Sequence, residues 1–317
     1  MVTGISGFLA ANLAQRLLDL GATVVGLERD IAQPNALDIF GIRGSISIVN
    51  GSVDDLELME RALNEFEVDT VFHLAAQAIV SAANRSPLGT FDANIRGTYV
   101  LLEACRRSPG VKAIAVASSD KAYGSHSKLP YEEDFALQGT YPYDVSKSCT
   151  DLLARSFAKT YDLPVTVARA ANIYGPGDIN LSRIIPGTIL SVLKGEDPIV
   201  RSDGTPVREY IHVSDVVTGY LRLLEEIDAT RGEAYNIGSG DHLDVLSLVG
   251  KIIEACGASG RRKPVVMLQK KIEREIDQQY LSSEKMHQAT GWRAENRLED
   301  GLTGTIAWYR ENQHRLA

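Results

Sequence analysis

Short, continuously apolar runs alternate along the chain with longer segments whose apolar residues recur every three or four positions. Met1-Val2-Thr3 reads as the end of a strand, and a glycine turn, Gly4-Ile-Ser-Gly7, opens an amphipathic helix over 12–20. The runs 23–27, 47–49 and 70–76 read as further strands, with a helix over 56–66 between the last two. A helix over 87–107 precedes a strand over 111–117, a long helix begins near Tyr143, and 163–168 is another strand. This alternation predicts an α/β fold, a doubly wound parallel sheet of Rossmann type. Ligands in such sheets sit at the carboxyl ends of the strands. Gly4, Glu28, Val53, Ala75 and the run Ser118 to Lys121 all fall there.

Beyond 168 the pattern changes. Segments 169–178, 180–195 and 198–207 mix Gly, Pro and polar residues with short apolar stretches, which predicts a smaller substrate-binding domain. The expected division is a dinucleotide-binding domain over 1–172, rejoined by about 209–237, and a substrate-binding domain over 173–317 completed by 245–256, 265–268 and 298–309. Only two or three residues precede Gly4, fewer than the central strand of such a sheet usually has. The natural chain is therefore expected to begin upstream of Met1.

Two features carry chemistry. The first is the glycine turn, which lets a phosphate approach the backbone at the positive end of a helix dipole. Glu28 falls where this fold places an acid on the adenosine ribose, which favours NAD over NADP. The second feature spans 114–147. A strand delivers Ser118, Ser119, Asp120 and Lys121, and the following helix carries Tyr143 and Lys147 four apart on one face. A cation beside a phenol lowers its pKa, so the phenolate can remove a hydroxyl proton.

Composition narrows the partners. With 317 residues, 44% hydrophobic and 23% charged, the chain can build a large core, and its formal net charge of -8 argues against nucleic acid. No apolar run is long enough for a membrane span and no signal-peptide pattern opens the sequence, so a cytoplasmic protein without a membrane partner is expected. Cys105, Cys149 and Cys256 form no CxxC and read as reduced thiols. His73 has no partner at ligand spacing, so it reads as structural and no metal is expected.

The ordered set of the glycine turn, His73-Leu-Ala-Ala-Gln77, Asn94 with Gly97-Thr98, Ser118-Ser119, Tyr143-x-x-x-Lys147, Arg169-Ala-Ala-Asn172-Ile-Tyr174-Gly175, Arg208-Glu-Tyr-Ile-His-Val-Ser-Asp215 and Asn236-Ile-Gly238 resembles the extended short-chain dehydrogenase/reductases that act on nucleotide sugars. The resemblance covers essentially the whole chain. It implies an NAD site built from Gly4, Ser6, Gly7, Phe8, Leu9, Glu28 and Arg29 at one end. Ser52, Val53, Leu74, Ala75, Ala76, Gln77, Asn94, Ser118, Tyr143 and Lys147 would complete it. For a nucleotide-sugar substrate it implies Gln77, Ser119, Asn172, Arg183, Ile184, Arg208 and Arg274, and for catalysis Ser119, Asp120, Lys121, Tyr143 and Lys147. Two departures stand out: Ala10 replaces the third glycine of the turn, and Ser52 replaces an Asp that often contacts the adenine.

Within that family the residues after Ser119 discriminate. Epimerases tend to carry small residues there and 4,6-dehydratases an acid and a base. Asp120-Lys121 looks most like CDP-glucose 4,6-dehydratases, which implies loss of water from an NDP-hexose. The alternatives are a 4-epimerase using the same Tyr143 and Lys147, and a non-catalytic dinucleotide-binding protein. The helices over 91–107 and 143–161 resemble those that pair across dimer axes, so a homodimer is expected.

Overall fold

The computed structural model describes residues 1–30, 34–267 and 276–316. Its first half runs β1 (Val2–Thr3), α1 (Phe8–Asp19), β2 (Val25–Glu28), α2 (Ala36–Phe40), β3 (Ser47–Asn50), α3 (Leu56–Glu65), β4 (Thr70–His73), α4 (Val80–Arg85), α5 (Pro87–Phe91), α6 (Gly97–Arg107), β5 (Ala113–Ala117), α7 (Pro142–Tyr161) and β6 (Val165–Ala170). The second half comprises β7 (Asn172–Tyr174), α8 (Ile184–Leu193), β8 (Ile199–Val200), β9 (Val207–His212), α9 (Val213–Glu225), α10 (Ile227–Thr230), β10 (Ala234–Ile237), β11 (His242–Asp244), α11 (Val245–Ala255), β12 (Val265–Val266), β13 (Gln278–Gln279), α12 (Glu284–Thr290) and α13 (Leu298–Asn312).

Seven parallel strands form the main sheet in the order β10-β6-β5-β4-β1-β2-β3. From β1 the chain builds outward first through β2 and β3, then on the other side through β4, so the strand order reverses between β1 and β4. That switch point is where a crevice opens above the strand ends. Helices cover both faces, which is why the strands read as unbroken apolar runs. In β5, Ile114 and Val116 belong to the layer with Leu101 and Ala154, whereas Ala115 belongs to the layer with Leu13 and Tyr220.

A second sheet joins β11, β9 and β13, with β7 alongside β9. Its core lies among α8, α11 and α13. Here the architecture differs from the expectation over 209–237: α9 and β10 return to the main sheet, but β9 stays in the small one. Met286 and Trp292, late in the sequence, pack into the main core. The expected helix over 87–107 is interrupted by a π-turn at Asp92–Arg96, which separates α5 from α6 and carries Asn94. Such turns often mark functional sites.

One buried ion pair fastens α7 to β6. Arg169 donates from Nε and Nη2 to the two oxygens of Asp151 at 2.7 and 2.9 Å, and from Nη1 to the Tyr123 hydroxyl at 2.7 Å. Arg169 and Asp151 are both fully buried, so each is the other's compensation for lost hydration. Through Tyr123 the pair reaches the turn that holds Asp120 and Lys121.

Candidate active site

Every chemistry-bearing residue near the crevice stands at the end of a strand or the start of a helix. After β5 the chain does not simply continue as an extended strand end. Ser119 caps a 3-10 turn over Asp120–Tyr123, its Oγ accepting from the Lys121 N–H at 3.2 Å. Gly124 closes that turn at φ +67, where a Cβ would come within 2.3 Å of the Gln138 carbonyl oxygen. Only glycine fits a position that combines this dihedral with that approach. The turn directs Asp120 and Lys121 to the same side as Tyr143.

Helix α7 begins with Pro142 in its first turn after Tyr141, an arrangement that fixes where the helix starts. Asp144 reaches back to the backbone N–H of Tyr141, and burial lifts its carboxyl to about 6 against the lowering effect of Lys121. One turn on, the Lys147 ammonium donates to the Ala117 carbonyl at 2.7 Å. It lies 6.0 Å from the centre of the Tyr143 ring, and burial brings it down to about 8. Burial pushes the Tyr143 phenol up to about 12, and a hydrogen bond with Ser119 opposes the shift.

The structure brings Ser119, Asp120, Lys121, Tyr143 and Lys147 together. Ser119 bonds Tyr143 and donates to Asp120 Oδ1 at 2.9 Å. Asp120 is buried, and its Oδ2 has no hydrogen-bond partner among the described residues. A buried carboxylate oxygen without a partner is costly unless a ligand or proton meets it. Lys121 Nζ donates to Gln279 Oε1 at 2.7 Å. A phenol, a hydroxyl and a carboxyl are thus linked through Ser119, and the Lys121 amine is tied to Asp120 through Gln279, which gives the groups needed for two successive proton transfers.

The glycine turn lies at the switch point. Gly4 has φ +67, and a Cβ there would sit 2.8 Å from Ala75 Cα, so the two strand-end loops touch through it. Gly7 precedes α1 without a side-chain cap, leaving the first N–H groups of that helix, from Phe8 and Leu9, for an anion. Beside it, Thr3 Oγ1 accepts from the N–H of Leu74 and Ala75 and bonds His73 Nδ1 at 2.9 Å. His73 Nε2 bonds Thr98 at 3.0 Å, and burial brings the imidazole down to about 3. His73 is a neutral strut under the loop.

Two residues read as cofactor contacts spend their side chains differently. Asn94 donates to Gln77 O and Ser146 Oγ and accepts from the Gln77 N–H at 2.7 Å. With both amide hydrogens used inside the protein, it holds Gln77 from beneath. Glu28 is buried at the end of β2, and Arg43 binds both of its oxygens, at 2.8 and 3.0 Å. Arg43 covers the acid that the sequence pattern assigns to a ribose. Arg29 is exposed and pairs with Asp30, while Ser52 and Val53 follow β3.

On the small-domain side, Asn172 Nδ2 donates to the Glu209 carbonyl, and Arg208 donates to the carbonyls of Val207 and Asp277. Arg183 precedes α8, pairs with Asp178 at 2.9 Å and lies over the Phe8 ring at 6.0 Å, which ties the small domain to the start of α1. A cavity of about 360 Å³ opens there, lined by Arg183, Ile184, Gly187, Val200 and Arg201 among others. Arg274 lies outside the described residues. Gln279, Arg43 and Asp144 escaped the sequence reading; of these, only Asp144, adjacent to Tyr143, carried a local signal.

Over residues 1–238 the sequence matches the family described as NAD dependent epimerase/dehydratase. The dTDP-glucose 4,6-dehydratase of Streptomyces antibioticus is 33% identical, over 99% of this chain and 92% of its own. Two trifunctional Arabidopsis thaliana proteins whose names begin with UDP-glucose 4,6-dehydratase are 27% and 28% identical over 98% of this chain, which spans 47% of their length. Among solved structures, the dTDP-glucose 4,6-dehydratase of Streptomyces venezuelae with NAD bound superposes with a TM-score of 0.88 at 28% identity, covering 99% of this chain and 97% of that one. The UDP-glucose 4-epimerase of Thermotoga maritima with UDP-glucose does so with 0.89 at 30% identity, covering 98% of each chain.

Proposed function

The chain belongs to the NAD dependent epimerase/dehydratase family, and from that premise we propose that it is an NDP-hexose 4,6-dehydratase. Its substrate on this reading is CDP-glucose or another NDP-glucose, and its product an NDP-4-keto-6-deoxyhexose. The observation that carries the proposal is the acid and amine beside the tyrosine: Asp120, with a buried oxygen lacking a partner, and Lys121, held by Gln279. An epimerase needs only the tyrosine and lysine of α7. The second reading, a 4-epimerase, draws on the similarity to the Thermotoga maritima enzyme.

NAD fits the residues present. The uncapped start of α1 and the side-chain-free approach at Gly4 suit a pyrophosphate, and Lys147 suits the nicotinamide ribose. Held by Gly4, the start of α1 and Lys147, NAD would supply the hydride exchange, from the sugar C4 and back to C6. The chain's own residues move the protons. Tyr143 takes the O4 proton, favoured as phenolate by the Lys147 charge. The resulting 4-keto group acidifies the C5 proton, Lys121 takes that proton as the base, and it hands a solvent-exchanged proton back to C5 as hydride reaches C6. Asp120 serves as the acid for the departing C6 hydroxyl, which leaves as water. Ser119, bonded to both Tyr143 and Asp120, meets the sugar hydroxyl between them. Asn172, Arg183, Ile184 and Arg208 take the nucleotide diphosphate end. The test is a panel of CDP-, UDP-, GDP- and dTDP-hexoses, with products weighed for loss of one water.

A homodimer is part of the same proposal. Leu88, Tyr99, Leu152 and Tyr161 are exposed large apolar residues on α5, α6 and α7, which a second chain could cover. Sedimentation at the mass of two chains is expected. A single-chain species at micromolar concentration contradicts it.

A further inference from the structure

We propose that Gln279 is the positioning residue of the elimination step, a reading that rests on the dehydratase assignment for the roles of Asp120 and Lys121. Gln279 is fully buried, in the two-residue strand β13, and its amide bridges both residues. Nε2 donates to the Asp120 carbonyl at 2.8 Å, and Oε1 accepts from Lys121 Nζ at 2.7 Å. The amide orientation follows from chemistry: an ammonium can only donate and a carbonyl can only accept, so only one flip of the side chain makes both bonds. One neutral side chain therefore fixes the backbone of the acid and the head group of the base.

The strand that carries Gln279 is itself held tightly. Gln279 pairs with Arg208 in parallel register on β9. Before it, the Val207 N–H donates to the Asp277 carbonyl at 2.8 Å, and after it the Tyr131 N–H donates to the Tyr280 carbonyl and the Leu281 N–H to Glu209 Oε2, at 2.9 and 2.8 Å. A lysine side chain has four rotatable bonds, and holding its nitrogen toward one carbon requires a fixed acceptor. Glutamine supplies that acceptor without adding a charge. A carboxylate at the same place would strengthen the protonated form of Lys121 and face the Asp120 carbonyl with an oxygen instead of a donor.

The consequence is specific to one step. Tyr143 and Lys147 stand on α7 and take no bond from Gln279 among the described residues, so C4 oxidation does not depend on it. Elimination does. Gln279→Leu and Gln279→Glu are compared with the unaltered protein in single turnover, following solvent deuterium entering at C5, loss of water, and the absorbance of bound nicotinamide for the oxidation. A misplaced reacting group costs about 100-fold, and that loss is expected in deuterium entry and water loss for both variants, with oxidation within about threefold. In parallel, the Lys121 side-chain resonance in protein made with isotope-labelled lysine is expected to move in both variants, a readout independent of turnover.

Equal loss of oxidation and elimination, or elimination at the unaltered rate, overturns the proposal. An unmoved Lys121 resonance overturns it as well. Where Gln279→Leu does not fold, the isosteric Gln279→Glu decides alone, and failure of both to fold makes Gln279 a structural residue and ends the proposal. The unaltered protein separates the two hypotheses. Conversion without water loss there refutes the dehydratase reading, whatever the Lys121 resonance says about the bridge.

Discussion

Changing Tyr143 to Phe is expected to lower kcat by about 10²- to 10⁴-fold, the range for removing a general acid–base group, with KM nearly unchanged. The ring stays and the packing of α7 is kept; only the hydroxyl bonded to Ser119 is lost. The phenol starts from about 12 because it is buried, with the Arg183 charge acting to lower it, so its activity depends on charge brought near it, and Lys147 at 6.0 Å from the ring is a second cation within reach. Because oxidation precedes elimination, deuterium entry at C5 should stop along with water loss. Near-normal turnover by the Phe variant would mean that another group takes the O4 proton, whereas an unaltered protein that is itself inert toward every NDP-hexose would support a non-catalytic dinucleotide-binding role.

Lys121→Met gives the complementary result. Oxidation at C4 is expected to proceed, seen as an absorbance change of the bound nicotinamide, while loss of water falls by about 10²- to 10⁴-fold for want of the base. Methionine keeps much of the stem's volume, so the 3-10 turn capped by Ser119 is preserved. That pattern would separate the two layers of the proposed site, proton transfer at O4 by α7 and loss of water at the turn after β5. If Lys121→Met lost oxidation and elimination in equal measure, the lysine would belong to the first layer. Unimpaired water loss would remove it from the mechanism.

The sheet was legible in the sequence because most of its strands are buried on both faces, the edge strand β3 excepted, whereas its helices bury one face, which leaves distinct periodicities. The constellation from Ser119 to Lys147 was legible for a related reason, since a strand end and the following helix start are close in sequence and in space. What the sequence hid were pairings between distant segments. Gln279 lies 158 positions from Lys121, in a strand of two residues too short to carry any pattern. Arg43, 15 positions from Glu28, sits in a short 3-10 turn with no motif of its own. The π-turn around Asn94 adds one residue to a helical repeat, which shifts the apolar stripe too little to be seen from spacing alone. The division of 209–237 between two sheets depends on which strand β9 pairs with, and hydrophobicity is the same for both choices.

The central claim is that this site removes water. The most direct measurement incubates the unaltered protein with NAD and each NDP-hexose, weighs the sugar nucleotide, and repeats the reaction in deuterium oxide. The account predicts that at least one NDP-glucose loses a single water and gains deuterium at C5 in the product. An unchanged mass with inverted C4 across the whole panel would contradict it and make the protein a 4-epimerase.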